Sequence, residues 1–362
     1  MRLGYFHFLA LIGLTSSAWA IPTGSAFNFV PSRFSTTDLT AGSRGLGELC
    51  YARDRMPDGS VCNPALLGDF DDSLLLGRIF FGNGYTALST ANQLVLEPIT
   101  ADVLQKLFKD DNVTTVEAHA GLLFQSRYFG AGFSPYRVQY VSEVHNPNLP
   151  VISVHTALER SMYVEGGIPL KLFTPALSDF LLGTRVSFVQ RKYVHSSFSL
   201  FQALSDAAST FIPLKEQTAV LMDTVMTWAP SKMKWKPQFT LGLKNLGWTS
   251  VTDALYPESL DLVGGVGIRP PVGKGVARLG VDFVSLVHGD SLMSRLRFGA
   301  SYQYGIAEAL FGANERSLTT GFQLCFQFLE VAAVYEFIRS DFSDTGYLAP
   351  ENRVSTEFAV RL

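Results

Sequence analysis

From Arg353 to Leu362 the chain reads R-V-S-T-E-F-A-V-R-L, with apolar side chains on every second residue. Val354, Thr356, Phe358, Val360 and Leu362 share one phase, and Arg353, Ser355, Glu357, Ala359 and Arg361 share the other. A period of two is the pleat of a β-strand with one face in an apolar medium and the other in a wet one. A tilted strand crosses bilayer hydrocarbon in roughly 9–11 residues, so this run has the length and pattern of a membrane strand. Its place at Leu362 makes it the expected closing strand of an outer-membrane β-barrel.

The alternation recurs upstream. In 295–304, Leu296, Phe298, Ala300, Tyr302 and Tyr304 alternate with Arg295, Arg297, Gly299, Ser301 and Gln303. In 320–328, Phe322, Leu324, Phe326 and Phe328 alternate with Gly321, Gln323, Cys325 and Gln327, and 235–244 interleaves Trp235, Phe239, Leu241 and Leu243 with Lys236, Gln238, Thr240 and Lys244. A soluble β-sandwich would also alternate, so the N-terminus matters. Arg2, the apolar run Tyr5–Leu14 and Ser17-Ala18-Trp19-Ala20 form a secretory leader, residues 1–20, with cleavage expected after Ala20. No later stretch offers the ~18 consecutive apolar residues of a membrane helix. Export without a helical anchor, 12% aromatics and 31 glycines in a chain only 17% charged suit a lipid-facing barrel. A net charge of −3 gives no basic excess for a nucleic-acid partner.

Residues 21–72 mix Gly, Ser, Thr, Arg and Asp and do not read as membrane strands, so they are expected to form a plug or periplasmic segment ahead of a barrel over 73–362. Cys50 and Cys62 lie close together in a polar stretch of an exported chain, where a disulfide is expected. No histidine stands nearby to complete a metal site. Cys325, on the polar phase of its strand, is expected as a shielded thiol. Strands are expected near 73–82, 114–126, 128–143, 150–160, 161–171, 180–194, 216–229, 233–247, 259–269, 275–288, 293–305, 306–315, 317–327, 329–339 and 352–362. That is fifteen, and single-chain barrels usually hold an even number, so fourteen wall strands are expected. Two amphipathic helices are expected in loops, at 98–109 and at 196–213, where Phe198, Phe201, Leu204 and Phe211 would capture an apolar ligand.

Gly264-Gly265-Val266-Gly267 and Gly273-Lys274-Gly275 have the wrong spacing for a phosphate loop and sit between strand patterns. The histidines form no H-E-x-x-H, and no G-x-S-x-G elbow is present. No enzyme, cofactor or metal is therefore expected. What remains is the polar phase of the strands: Arg185, Asp223, Lys244, Arg278, Asp282, Arg295, Arg297 and Glu336. These residues either fill the lumen as ion pairs, or the basic ones among them receive an anionic head group. Val225, Val284 and Val334 share that phase, which suits a path for an amphipathic molecule better than a wide aqueous pore.

The order of motifs resembles the FadL-like outer-membrane proteins. Ser43-Arg44-Gly45-Leu46-Gly47 followed by Asn63-Pro64-Ala65-Leu66-Leu67 is similar to their opening, with the branch of PorV and conjugal-transfer TraF-like sequences looking closest. Gly183-Thr184-Arg185-Val186 with Tyr193, Ala219–Thr227 with Asp223, Leu243-Lys244-Asn245-Leu246-Gly247, Ala277–Phe283 with Asp282, and 295–302 resemble later strands of that branch. The Cys50–Cys62 stretch and the 98–109 helix depart from the pattern. The resemblance implies a fourteen-stranded barrel with an N-terminal plug, set in the outer membrane of a Gram-negative bacterium. It implies passive uptake of hydrophobic or amphipathic small molecules such as fatty acids, with the plug around Asn63 and Pro64 shifting to open a path. The alternative is a scaffold that docks a secretion-system or surface partner. Either role implies contact with outer-membrane lipid and insertion by the barrel-assembly machinery.

Overall fold

The computed structural model describes residues 40–52, 62–70, 73–82, 88–96, 113–145, 151–199, 213–230, 232–251, 256, 259–287, 292–315, 317–338, 342–343, 346–347 and 351–361. Fourteen antiparallel strands close into a barrel. They are β1 (Leu74–Gly82), β2 (Val113–Ser126), β3 (Phe129–His145), β4 (Val151–Pro169), β5 (Phe180–Ser199), β6 (Leu214–Trp228) and β7 (Gln238–Thr249). The second half holds β8 (Asp261–Ile268), β9 (Val276–Phe283), β10 (Leu296–Tyr304), β11 (Ala307–Asn314), β12 (Ser317–Cys325), β13 (Leu329–Ile338) and β14 (Glu351–Arg361). Sequence neighbours pair, and β14 closes the ring by pairing with both β13 and β1, Phe358 facing Val331 and Ile79. Closure matters because an open sheet edge in hydrocarbon would leave a row of N–H and C=O groups without partners.

The terminal run behaves as its pattern requires. Val354, Phe358 and Val360 are exposed on the outer wall, while Arg353, Ser355, Glu357 and Ala359 are buried inside. The same phase holds around the ring: Ile79, Leu122, Phe133, Met162, Leu241, Phe298, Phe311 and Phe322 all face outward. Only hydrocarbon makes such a belt favourable. At one end the strands are joined by tight turns, such as 127–128 and 305–306, and at the other by long connections such as 83–112 and 200–213. In barrels of this class the short turns are periplasmic and the long loops extracellular.

Three expectations change. The runs 150–160 and 161–171 are one strand, β4, which removes the fifteenth candidate. Its outer face passes from lipid to water at Arg160, and that polar interruption breaks one strand into two apparent ones. The 180–194 strand likewise continues to Ser199, so Phe198 belongs to β5 and not to a loop helix. Trp235 lies in the turn before β7, whose strand starts at Gln238. The 98–109 helix, Phe201, Leu204 and Phe211 fall outside the described residues.

Strands β2–β5 span 14, 17, 19 and 20 residues against 8 or 9 for β8–β12. One side of the wall thus rises well beyond the hydrocarbon. The exposed pair Lys192–Glu216, 2.6 Å apart on the outer face, marks where the apolar belt stops. Above it, a helix α2 (Leu88–Leu96) lies across the outside of the raised wall. Its Ala91, Leu94 and Val95 bury Val116, Val138, Tyr140, Ile152, Val154, Val194 and Phe198. The Thr156 hydroxyl donates to the Ala91 carbonyl, and the Tyr136 hydroxyl to Asn92 Oδ1. Truncating Phe198→Ala opens a cavity in this cluster and should cost about 3–5 kcal/mol. We expect it to lower the thermal midpoint while leaving the lipid-belt variant Phe133→Ala much milder, as read by heat-modifiable gel mobility.

Candidate functional site

The site is the barrel interior. Two pieces of the chain ahead of β1 pack against the inner wall. The first, Thr40–Ala52, begins with the short helix α1 (Ala41–Gly45), capped by the Thr40 hydroxyl, which accepts from Ser43 N. The second is a 3-10 turn, Pro64–Asp69, capped by Asn63 Oδ1. Cys50 and Cys62 are joined in a disulfide that ties the two pieces together.

Both pieces come closer to the wall than side chains allow. Gly312, Gly299, Gly280 and Gly267 face one another in register across β11, β10, β9 and β8. They form an inward furrow in which Leu46–Ala52 lies. A Cβ at Gly299 would sit 2.8 Å from the Leu46 carbonyl oxygen and one at Gly280 2.7 Å from the Leu49 side chain, while Gly312 abuts the Leu46–Gly47 peptide. On the opposite wall Gly183 and Gly167 receive Pro64 and Ala65 in the same way.

Asp282, on β9, anchors the first piece. Its Oδ2 accepts from Cys50 N at 2.5 Å and Tyr51 N at 2.8 Å, and its Oδ1 accepts from Ala52 N at 2.6 Å. Three consecutive amides thus close on one fully buried carboxylate, which compensates a charge that would otherwise be costly there. Further ties come from the Ala41 amide to Glu357 Oε2 at 3.0 Å and from the Gly47 amide to the Thr319 hydroxyl at 3.1 Å. Arg297 pairs with Glu48 at 2.9 Å. Asn63 Nδ2 donates to Thr227 Oγ1 at 3.1 Å. Tyr51 is buried, and that desolvation, with Asp223 and Asp282 near, pushes its phenol well above the ordinary range, so it stays neutral.

The remaining polar positions point inward and are partnered. Arg185 pairs with Glu165 through two nitrogens and lies 4.4 Å from the Tyr163 ring centroid. Arg278 reaches Glu308 at 3.2 Å and Gln303 at 2.9 Å. Glu336 lies 3.9 Å from Arg353. Asp223 accepts from Asn245 N at 2.8 Å across a register shift between β6 and β7, with Lys244 half-buried beside it. Arg295 differs from the rest: it ends a 3-10 turn ahead of β10, at the long-loop rim and not within the wall. The structure therefore brings Asp282 and Arg297 together around residues 48–52, sets Arg185, Arg278 and Glu336 into separate ion pairs, and leaves Arg295 apart.

A larger network was not evident from the sequence. Arg44 of α1 meets Glu117 on β2 at 2.7 Å, and Arg137 on β3 meets Glu117 at 3.6 Å and Glu159 on β4 at 3.3 Å. Arg191 on β5 then meets Glu159 at 2.6 Å and Gln217 on β6 at 2.7 Å. Gln217 Nε2 donates to the carbonyls of Val251 and Tyr256, holding both residues at the long-loop mouth of the barrel. There the Tyr256 ring lies 3.8 Å from the Arg191 guanidinium, and its hydroxyl 3.0 Å from His155 Nε2. Burial alone would lower the Arg44 pKa; Glu117, Glu336 and Glu48 outweigh it and hold the group firmly charged. Glu117, Arg137, Glu159 and Arg191 all lie on the polar phase of their strands, with signs alternating from strand to strand. That pattern is the signal a register assignment would have exposed.

Beneath the first piece, at the tight-turn end of the barrel, lies a cavity of about 20 Å³. Leu46, Leu49 and Ala52 form its roof, Gly267, Gly280 and Gly299 part of its wall, and Lys236, Gln238, Arg269, Arg278, Ser301 and Glu308 its polar edge. Among the described residues no group of three His, Cys, Asp or Glu side chains is placed to hold a metal.

These features define a membrane-type fourteen-stranded barrel with its lumen occupied by its own chain. No family model and no curated protein matches the sequence. Among solved structures, the chain is similar to a "TodX deltaS2S3 mutant monoaromatic hydrocarbon channel" with a TM-score of 0.52 and 11% identity, over 91% of this chain and 99% of that one. This likeness shows a shared barrel fold. The Pseudomonas putida toluene transporter TodX and the Ralstonia pickettii toluene transporter TbuX, at 8% and 10% identity and covering 91% and 89% of this chain and 98% and 97% of theirs, both have a TM-score of 0.47, too low to argue from. Nothing in these structures favours the PorV and TraF-like branch.

Asp282→Ala removes three charge-assisted acceptors at once, each worth ~1.5–3 kcal/mol. We expect residues 46–52 to detach from the wall, giving new protease cleavage there while the barrel still migrates as folded. Gly312→Val should unseat the same segment by collision, whereas Gly166→Ala, whose Cβ would meet nothing nearer than 3.6 Å, should change nothing.

Proposed function

We propose that this protein is a passive channel for hydrophobic or amphipathic small molecules in the outer membrane of a Gram-negative bacterium, with residues 40–52 and 62–70 as parts of its plug. The observation that carries the reading is a lumen occupied by its own chain, with residues 46–52 lying in the glycine furrow above a cavity of only about 20 Å³. A solute passes only once that segment moves, and the side chains it then meets include the apolar Leu46 and Leu49. The lumen arginines are engaged by carboxylates, so anion steering by free bases is a weaker reading than capture of apolar surface. No covalent chemistry is required of any residue.

Opening then means moving residues 46–52 along the glycine furrow, because that segment separates the cavity from the space above. Asn63 and Pro64, pinned between Thr227 and the Gly167–Gly183 wall, act as the fixed end and the disulfide as the tether. A ligand would favour the open arrangement only through contacts that it makes there and not in the closed one. The likeness to a monoaromatic hydrocarbon channel supports the fold on which this reading rests; the ligand's size and whether it carries an acidic head are open to measurement.

Reconstitution tests this directly. We expect little steady ion conductance in planar bilayers, together with accelerated entry of an apolar probe into proteoliposomes, compared using toluene and a long-chain fatty acid. Asp282→Ala should raise both conductance and probe flux. Large ohmic conductance of the unaltered protein, or purification of an empty barrel with a bound polypeptide in native mass spectra, would overturn the proposal.

A further inference from the structure

The tight-turn end of the barrel carries a basic, aromatic patch on its exposed rim, of which Lys236 also borders the cavity under Leu46 and Leu49. Between β6 and β7 the chain reads Lys232-Met233-Lys234-Trp235-Lys236, and all five residues are exposed, Trp235 by 53%. The turn is held in shape: Met233 N donates to the Pro230 carbonyl, Lys236 N to the Met233 carbonyl, and Arg269 N, from the neighbouring β8–β9 turn, to the Trp235 carbonyl at 2.8 Å. Among the described residues none is ion-paired with Lys232, Lys234 or Lys236. On the other side the β4–β5 turn adds Lys171 and the exposed Phe173, with Asp179 the one acid between the two strands.

The height of this patch is fixed by the ring row just above it. Phe180, Trp228 and Phe239, at the ends of β5, β6 and β7, stack side by side with centroids 6.3 and 5.3 Å apart. Aromatic girdles of this kind sit where hydrocarbon meets head groups. A turn one step beyond such a girdle stands among the head groups themselves. Its Met233 and Trp235 can dip back toward the acyl chains while three unpaired lysines remain at phosphate level.

We propose that this turn is a docking surface for the head groups of anionic phospholipids in the periplasmic leaflet, phosphatidylglycerol or a relative of like charge. It would orient the barrel and hold a lipid beside the β6–β8 wall. The proposal rests on the barrel spanning the membrane, as argued above. Each Lys or Arg near an anionic leaflet adds roughly fivefold in affinity, so three on one turn together favour an anionic over a zwitterionic head group about a hundredfold.

The test is native mass spectrometry of the full chain released from nanodiscs containing equal phosphatidylglycerol and phosphatidylcholine. We expect retained phosphatidylglycerol to exceed phosphatidylcholine, and the preference to fall about a hundredfold in K232Q/K234Q/K236Q. It should survive in K232R/K234R/K236R and in Lys192→Gln at the opposite end. Retention that is equal for both lipids, or unchanged in the glutamine variant, overturns the proposal. So does loss of the bound lipid to millimolar inorganic phosphate, which would identify a phosphate site without lipid selectivity. Heat-modifiable mobility reports insertion separately: a chain that never enters the nanodisc speaks against the membrane reading, and one that enters without lipid preference speaks against this surface alone.

Discussion

Everything in this molecule depends on the pairing of β14 with β1. In hydrocarbon no water can satisfy a strand edge, and each unpaired group costs several kcal/mol. A sheet of fourteen strands is viable there only as a ring. The register Phe358–Ile79 and Ala359–Arg78 completes that ring, and it also sets which side chains face in. A slip by one residue would put Arg353 and Glu357 into lipid and Phe358 into the lumen. The alternation of the last ten residues is therefore a requirement of closure, and it made the fold class legible.

Closure creates an interior that must itself be filled. In this chain the filling is backbone as much as side chain. The glycine row on β8–β11 removes side chains where the chain before β1 must pass, and Asp282 gathers three of that segment's amides. Neither feature works without the other. Without the furrow the segment cannot reach Asp282; without the segment the furrow would be a gap in the lumen lining and Asp282 a buried carboxylate lacking donors. The carboxylate and the glycines are thus one device for seating a plug.

Much of this was readable in advance, for physical reasons that differ residue by residue. The phase of Arg185, Arg278, Asp282 and Glu336 followed from period two alone, because a barrel wall has just two faces. Their partners did not follow, since pairing needs register, and register depends on bulges such as those at Ala120–Leu122 on β2 and Ser134–Arg137 on β3. The raised wall was misread for a different reason. Above the lipid belt the outer face of β4 meets first water, at Arg160, and then helix α2, so one strand crosses three environments and its pattern appears to restart. Phe198 shows the same effect, being an apolar residue on an outward phase that is buried by a helix and not by lipid.

Buried ion pairs are weak evidence for stability, because desolvation offsets much of their attraction. A chain of five charges, Arg44–Glu117–Arg137–Glu159–Arg191, is therefore poorly explained as reinforcement of strands that already share full ladders of hydrogen bonds. It does span from the plug helix α1, across four wall strands, to the loop that places Tyr256 in the outer mouth. Arg44 is the one member that does not belong to the wall. Withdrawing it would leave Glu117 with Gln139 at 3.2 Å and Arg137 at 3.6 Å, and Arg137 is already shared with Glu159. Arg44 thus ties residues 40–52 to the charges that lead to the mouth of the barrel. In a wide aqueous pore water would screen such a chain and mobile ions would replace its members. In a lumen closed by its own backbone, an arrangement of this kind keeps Arg44, Glu117, Arg137, Glu159 and Arg191 each beside an opposite charge.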